Sequence, residues 1–169
     1  MNSDITQYYL TLARNILISL LFLSCNESNH QIYLPSGKHL KVKLAITPKE
    51  QEQGLSGVKA NEFGSKEGML FVYRDSAPRR FWMINTYFNL DIIFLDKDLN
   101  IIEIARDMPA HPGKNVPPEI AKTPIVIAKY ILEIKSNSPI SQEIKIGQQL
   151  NWPKKEALLK IISNTHFLQ

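Results

Sequence analysis

Asp91 is the residue of this sequence that most strongly suggests chemistry, because it is a carboxylate within a run that is otherwise apolar. Leu90 precedes it, and residues 92–94 are Ile-Ile-Phe. A carboxylate in apolar surroundings must be hydrogen-bonded or paired, or else it takes up a proton. Asp91 could therefore be a general base or a ligand-binding acid at the start of a strand. We favour the alternative, a structural carboxylate that accepts N–H bonds from the turn at residues 87–89, because structural networks also perturb such groups.

A second group of residues could bind a ligand shortly before that carboxylate. In a strand at residues 81–86, Met83 and Asn85 would share one face, and an aromatic and methionine face can line an apolar pocket. For Met83 we favour a core position over a pocket position, whereas the amide of Asn85 needs hydrogen-bond partners. Arg79 and Arg80 could bind a carboxylate or phosphate, although such a pair more often ends a strand in solvent. The ligand-binding candidates are thus Met83, Asn85, Asp91, Arg79 and Arg80.

Other kinds of chemistry find no support in the sequence. The four histidines have no paired spacing, and Asp96-x-Asp98-x-Asn100 lacks the glycine and glutamate of a calcium-binding EF-hand loop, so we expect a hairpin turn there. The formal charge of +4 is spread along the 169 residues and accompanies no nucleic-acid motif. We therefore predict no catalytic residue, no metal, no cofactor and no nucleic-acid partner.

The N-terminal segment is typical of an export signal. Residues 16–23 are apolar except for Ser19, Arg14 precedes them, and Ser24 and Cys25 follow. This order matches a secretory signal peptide, and the run is shorter than the roughly 20 apolar residues that cross a bilayer as a helix. An internal disulfide is impossible because Cys25 is the single cysteine.

The four residues that end this segment, Phe-Leu-Ser-Cys at 22–25, resemble the lipobox of bacterial lipoproteins. In that class the cysteine sulfur receives a diacylglycerol and becomes the new N-terminus, which implies lipidation of Cys25. The alternative is an ordinary signal, or a membrane-anchoring helix, with a chance cysteine. We expect a signal peptide over residues 1–24, a lipid-attached tether over 25–37, and a bacterial envelope protein on the periplasmic side, anchored by lipid in the outer membrane.

The remaining sequence favours a mainly β domain. Leu40, Val42 and Leu44 alternate with lysines and alanine, which is the period of a half-buried strand. Thr47 and the residues after it predict a short capped helix that ends at Gly54. Short strands joined by turns indicate an antiparallel sandwich or barrel. We expect strands at residues 31–34, 38–46, 68–73, 81–86, 90–95, 101–106, 125–135 and 147–152, a long loop at 107–124, and an amphipathic helix at 154–162.

Three of these runs together resemble the signature of the domain of unknown function 192 family. They are Gly-Met-Leu-Phe at 68–71, Phe-Trp-Met-Ile-Asn-Thr at 81–86 and Leu-Asp-Ile-Ile-Phe at 90–94. The likeness extends over residues 38–152, which leaves 153–169 as a C-terminal helix and tail. It implies a jelly-roll-like β fold in a family that is often exported and has no established activity. The sequence departs from the family pattern at Gln51, Ser56, Ile84, Asn89 and Gln148.

Two functions are compatible with these residues. The first is a non-enzymatic envelope module that binds a small ligand, a glycan or a protein through a face built by Met83, Asn85 and Asp91. The second is a cell-wall hydrolase or another envelope enzyme that uses Asp91 as acid or base, with a partner from the proline-rich loop at residues 107–124. The absence of a complete catalytic set in the sequence favours the binding module.

Overall fold

The computed structural model describes residues 30–165, which form a β sheet with two α-helices. In chain order the elements are β1 (His30–Tyr33), β2 (His39–Ala45), α1 (Pro48–Gln53), a 3-10 turn (Ala60–Glu62), β3 (Glu67–Arg79), β4 (Leu90–Leu95), β5 (Ile101–Met108), β6 (Val126–Lys135) and α2 (Lys155–Thr165). No helix within the described residues is long and apolar enough to cross a membrane. The proposed signal peptide and Cys25 lie outside the described residues.

The six strands form one open sheet in the order β1-β2-β3-β6-β4-β5. Its neighbours are antiparallel except β2 and β3, which run parallel. The mainly β class predicted from the sequence is confirmed, whereas a closed barrel or jelly-roll sandwich is not. The expected all-antiparallel pairing is wrong for β2 and β3, because their connection contains α1 and the 3-10 turn and is long enough to return the chain for a parallel pairing.

The sheet is buried on both faces, so its strands alternate between two apolar clusters. On the face that we call the α1 face, Phe71, Phe94 and Ile131 lie beneath Leu55 and Met83. The opposite face, called the α2 face, carries a second cluster that includes Leu70, Ile93, Tyr130 and Trp152, with Leu158 of α2 packed against it. All six residues of β4 are buried, and its apolar residues belong to these two clusters.

The helix predicted at Thr47 is confirmed together with its capping box. The Glu50 backbone N–H donates to Thr47 Oγ1 at 3.3 Å, and Glu50 Oε2 accepts from the Thr47 backbone N–H at 2.8 Å. Gly54 ends the helix with a φ of +49°, a conformation that glycine adopts without a steric penalty. Gln51 then joins α1 to the sheet, since its Nε2 donates to the carbonyl of Val72 on β3 at 3.0 Å.

Two predicted strands are not regular strands. Residues 81–86 make isolated bridges, from Trp82 to Lys122 and from Ile84 and Thr86 to His111. The φ of +55° at Asn85 interrupts an extended chain there, so the segment cannot enter the sheet ladder. Residues 147–152 likewise make only bridges, to β1 and to the turn before β5. Conversely, β3 continues beyond residue 73, where the predicted strand ends, as far as Arg79, with a register shift between Val72 and Ala77.

Candidate functional site

A pocket of about 260 Å³ opens on the α1 face of the sheet. Its walls are the end of α1 with the residues that follow it, and the segment 80–86. Its floor is formed by β3 and β6. The lining residues are Gln51, Glu52, Gln53, Gly54, Leu55, Ser56, Phe71, Tyr73, Arg80, Phe81, Trp82, Ile84, Thr86 and Glu133.

Glu133 supplies the buried polar group of the pocket. It lies on β6 between Met69 of β3 and Ile92 of β4, and its side chain shares the α1 face with Ile131. Only 6% of the residue is exposed, and Oε2 has no hydrogen-bond partner within residues 30–165. A buried carboxyl oxygen without a partner loses the hydrogen bonds that it would make in water. A ligand that donates a hydrogen bond to this oxygen would restore one of them.

Burial raises the pKa of Glu133 to about 8, and a hydrogen bond from the Leu55 backbone only partly opposes that effect. No ion pair within residues 30–165 reaches this carboxyl. Burial also raises the pKa of the neighbouring Tyr73 phenol, an effect that Arg79 opposes and Glu133 reinforces. At neutral pH the floor of the pocket therefore holds an uncharged carboxylic acid.

Aromatic rings form much of the pocket wall. Phe81 packs edge-on against Phe71 with 4.8 Å between ring centroids. The Arg79 guanidinium lies 3.7 Å from the centroid of the Tyr73 ring. Trp82, at the rim, is 59% exposed, which is unusual for an indole in a folded protein. The pocket thus combines apolar ring surface with one acidic group at its base.

The proline-rich loop fixes the segment that carries two of these rings. The Thr123 backbone N–H donates to the Phe81 carbonyl at 2.9 Å, and the Met83 backbone N–H donates to Ala121 at 3.0 Å. The Phe81 backbone N–H in turn donates to Thr123 Oγ1 at 3.0 Å. Hydrogen bonds on both sides of Phe81 hold its ring over the pocket without a continuous strand.

Gly54 shapes the opposite wall, where α1 ends. A Cβ atom added there would lie 3.0 Å from Phe71 Cζ and 3.7 Å from Glu133 Oε2. A side chain at this position would therefore crowd the Phe71 ring and narrow the approach to the acid. The sequence predicts this glycine as a helix stop, and the structure adds that it leaves room beside Glu133.

The structure separates the five ligand-binding candidates predicted from the sequence. Arg80 lines the pocket, and Arg79 lies just outside it on the Tyr73 ring. Met83 is fully buried in the cluster of the α1 face. Asn85 makes loop contacts, since its backbone N–H donates to the Gly113 carbonyl at 2.8 Å.

Asp91 lies on the α2 face and is not near the pocket. Its Oδ2 accepts from Arg106 Nη1 and from Ser141 Oγ, each at 2.6 Å. Its Oδ1 accepts from the Asp107 backbone N–H and from Ser136 Oγ, each at 2.9 Å. Burial would raise the pKa of Asp91, but these four hydrogen bonds outweigh it and hold the pKa below its usual value.

Met83, Asn85 and Asp91 consequently do not form one binding face. The hydrogen bonds to Asp91 come from β5 and from the segment after β6, and not from the turn at residues 87–89. Glu133 is not among the residues that the sequence marks for chemistry, although its flanking residues are as apolar as those of Asp91. That shared pattern is the signal that could have identified it. No cluster of three or more metal-binding side chains occurs within residues 30–165.

Comparison with known proteins identifies the family. Residues 32–152 match the model of DUF192, which is described as an uncharacterized ACR. The chain belongs to the DUF192 family. The family resemblance seen in the sequence is thereby confirmed, and its bounds are close to those expected. No curated protein matches this DUF192 chain.

Two solved structures resemble the DUF192 domain. One is described as a "putative transcription regulator" from Sinorhizobium meliloti 1021; it is 29% identical, with a TM-score of 0.57, and the match covers 73% of this chain and 91% of that chain. The other is a protein of unknown function from Novosphingobium aromaticivorans DSM 12444, 30% identical with a TM-score of 0.57, where the match covers 73% and 83%.

The first prediction concerns Asp91. Asp91→Asn places an amide N–H₂ among hydrogen-bond donors and removes the charge opposite Arg106, so the free energy of unfolding should fall by about 2–4 kcal/mol. Denaturant unfolding measures it. Asp98→Asn is the matched control, because its carboxylate is half exposed and pairs only with Lys97, and it should change stability by less than about 0.5 kcal/mol. Equal stabilities of the two variants would contradict the structural role.

The second prediction concerns the pH dependence of stability. Because the pKa of Glu133 rises from 4.5 to about 8 on folding, the folded protein keeps a proton that the unfolded chain has released. The free energy of unfolding should therefore fall as the pH rises through that window, by about 2 kcal/mol between pH 6 and 8. Glu133→Gln should remove this slope. Exposed Glu119→Gln should keep it, and an unchanged slope in Glu133→Gln would show that the acid is not the cause.

Proposed function

We propose that this DUF192 protein is a non-enzymatic module of the cell envelope that binds a small molecule in the pocket above Glu133. The observation that carries the proposal is the unpartnered Oε2 of a buried acid at the base of an aromatic-walled pocket. Ligand sites combine apolar walls with a few polar groups in this way. The volume of about 260 Å³ fits a small organic molecule or the end of a larger one.

Binding is better supported than catalysis. Asp91, the acid considered for an envelope hydrolase, lies on the other face and already accepts four hydrogen bonds. Within the pocket, the hydroxyl of Thr86 is engaged by the Met83 carbonyl at 2.7 Å and by the His111 backbone N–H. Glu133 Oε2 has no hydrogen-bond partner among the described residues, so it does not contact the hydroxyl of Thr86 or of Ser56, as a base that activates a nucleophile would.

Filling the pocket should abolish binding. Ile84→Trp adds an indole to the pocket lining, whereas Ile125→Trp adds one at a position that is 61% exposed and outside the lining. A fragment library is screened against the full chain by saturation-transfer NMR. Fragments that bind the parent and Ile125→Trp but lose binding to Ile84→Trp would support the proposal. Absence of binders to the parent, or binders that Ile84→Trp does not affect, would contradict it.

The location of the protein in the cell envelope is a separate part of the proposal. It rests on the apolar run at residues 16–23 and on the position of Cys25 directly after it. Lipidation of Cys25 would place the DUF192 domain on a polar tether at the periplasmic side of the outer membrane. Stable anchoring needs more than one acyl chain, which a diacylated and N-acylated cysteine supplies.

Lipidation is tested by labelling cells with a palmitate analogue. The parent should carry the label and migrate as a shortened, processed form. Cys25→Ala should lose the label and accumulate as the larger precursor, because processing of a lipoprotein follows lipid attachment. Ser28→Ala, three residues away in the polar stretch, should behave as the parent. Label and size that are unchanged in Cys25→Ala would remove the lipoprotein proposal while leaving the pocket unaffected.

A further inference from the structure

We propose that the pocket takes an organic ammonium, whose N–H groups donate to Glu133 Oε2 while its apolar body lies against Phe81 and Trp82. This inference rests on the proposed function, because it names the ligand class of the same pocket. The location of Oε2 provides the first argument. It is buried and has no partner within residues 30–165, so it is free to accept from a ligand donor, and a cationic donor to a carboxylate makes a shorter and stronger hydrogen bond than a neutral donor does.

The ring surface around the acid provides the second argument. Phe71, Tyr73, Phe81 and Trp82 all line the pocket. Aromatic faces attract cations, and rings combined with a carboxylate are a common way to bind organic ammonium groups. The protein already uses one of these rings in this manner, because the Arg79 guanidinium lies 3.7 Å from the centroid of Tyr73.

The charged groups around the pocket agree with a cationic ligand. Glu52 and Arg80 line its open side and are both exposed to solvent, which screens them. Lys135, two residues along β6 from Glu133, is engaged by the carbonyls of Ala60 and Phe63, each at 2.8 Å. The end of α1 also faces the pocket, and the carbonyl end of a helix carries partial negative charge. The pocket lining therefore contains two carboxyl groups, those of Glu52 and Glu133, and the end of α1, against a single guanidinium, that of Arg80, which is solvated.

Ammonium binding is linked to a proton that leaves Glu133. In the empty pocket the acid is protonated at neutral pH because burial raises its pKa to about 8. When an ammonium binds, the positive charge favours the carboxylate, and the proton passes to the buffer. The other titratable groups of the pocket lining are Glu52, Tyr73 and Arg80, and burial raises the pKa of the Tyr73 phenol above its ordinary value. Affinity should therefore rise with pH until the amine itself loses its proton.

The inference is tested with three probes of similar shape and different charge: benzylamine as the cation, benzyl alcohol as the neutral compound and benzoate as the anion. Isothermal titration calorimetry on the full chain at pH 6.5 and 8.5 measures their affinities. We expect benzylamine to bind at least about tenfold more tightly than the other two at pH 8.5, and to weaken about tenfold or more at pH 6.5. Buffers with different ionisation enthalpies should report the released proton.

Variants of two pocket residues test whether Glu133 is responsible for the affinity for benzylamine and for its pH dependence. Glu133→Gln should weaken benzylamine binding about tenfold or more at pH 8.5 and remove its pH dependence, whereas exposed Glu119→Gln should change neither. If Glu133→Gln does not fold, Trp82→Ala replaces it, because this rim residue is 59% exposed; it should weaken benzylamine binding several-fold without lowering the melting temperature.

The outcomes separate this inference from the proposed function. Benzyl alcohol or benzoate binding as tightly as benzylamine, or benzylamine affinity that is independent of pH or of Glu133, overturns the ammonium inference and leaves a small-molecule site in place. Binding of no probe, together with a fragment screen that finds no pocket ligand, overturns the proposed function and the inference with it.

Discussion

The Glu133 carboxyl lies in the middle of the sheet, on the strand that joins its two halves. β6 pairs with β3 on one side and with β4 on the other. The pocket between α1 and the segment 80–86 lies over Glu133 on the α1 face of the sheet. A carboxyl at this position must lose its charge or acquire a partner, because ionisation in apolar surroundings is unfavourable. The glycine at the end of α1 and the hydrogen-bonded segment that carries Phe81 preserve the open volume that a partner would occupy.

Asp91 and Glu133 are two acids of the same sheet whose surroundings shift their pKa values in opposite directions. They lie on adjacent strands, one register step apart, and face opposite sides. Asp91 is about as buried as Glu133, but four donors surround it and hold its pKa below the usual value. Glu133 receives one backbone donor, and burial raises its pKa to about 8. The hydrogen bonds to Asp91 join β4 to β5 and to the segment after β6. In contrast, Oε2 of Glu133 makes no hydrogen bond within residues 30–165.

Local chemistry made part of this structure predictable. The capping box at Thr47 and Glu50 depends on residues three apart, and β4 has the same bounds as the predicted strand because its run is apolar apart from Asp91. The features that were not predicted depend on distant partners. The parallel pairing of β2 with β3 is set by their crossover, and the break at residues 81–86 is set by Asn85 and by bridges to the proline-rich loop.

The candidate site was harder to predict than the fold for the same reason. Arg80 is a ligand-binding candidate in the sequence and lines the pocket. The face on which an acid lies depends on register, however, and the donors to Asp91 come from positions 15 to 50 residues away. An apolar-flanked acid indicates a perturbed group and does not reveal the direction of the perturbation. That direction follows from whether donors converge on the carboxyl, which requires the assembled structure.

The protonation state of Glu133 is the central claim, and NMR of side-chain carboxyl carbons in ¹³C-glutamate-labelled protein measures it directly. The resonance that disappears in Glu133→Gln should titrate near pH 8. A Glu133 resonance that titrates at about 4.3, the value of a glutamate in a short peptide, would show that the acid is charged at neutral pH, and would contradict the account.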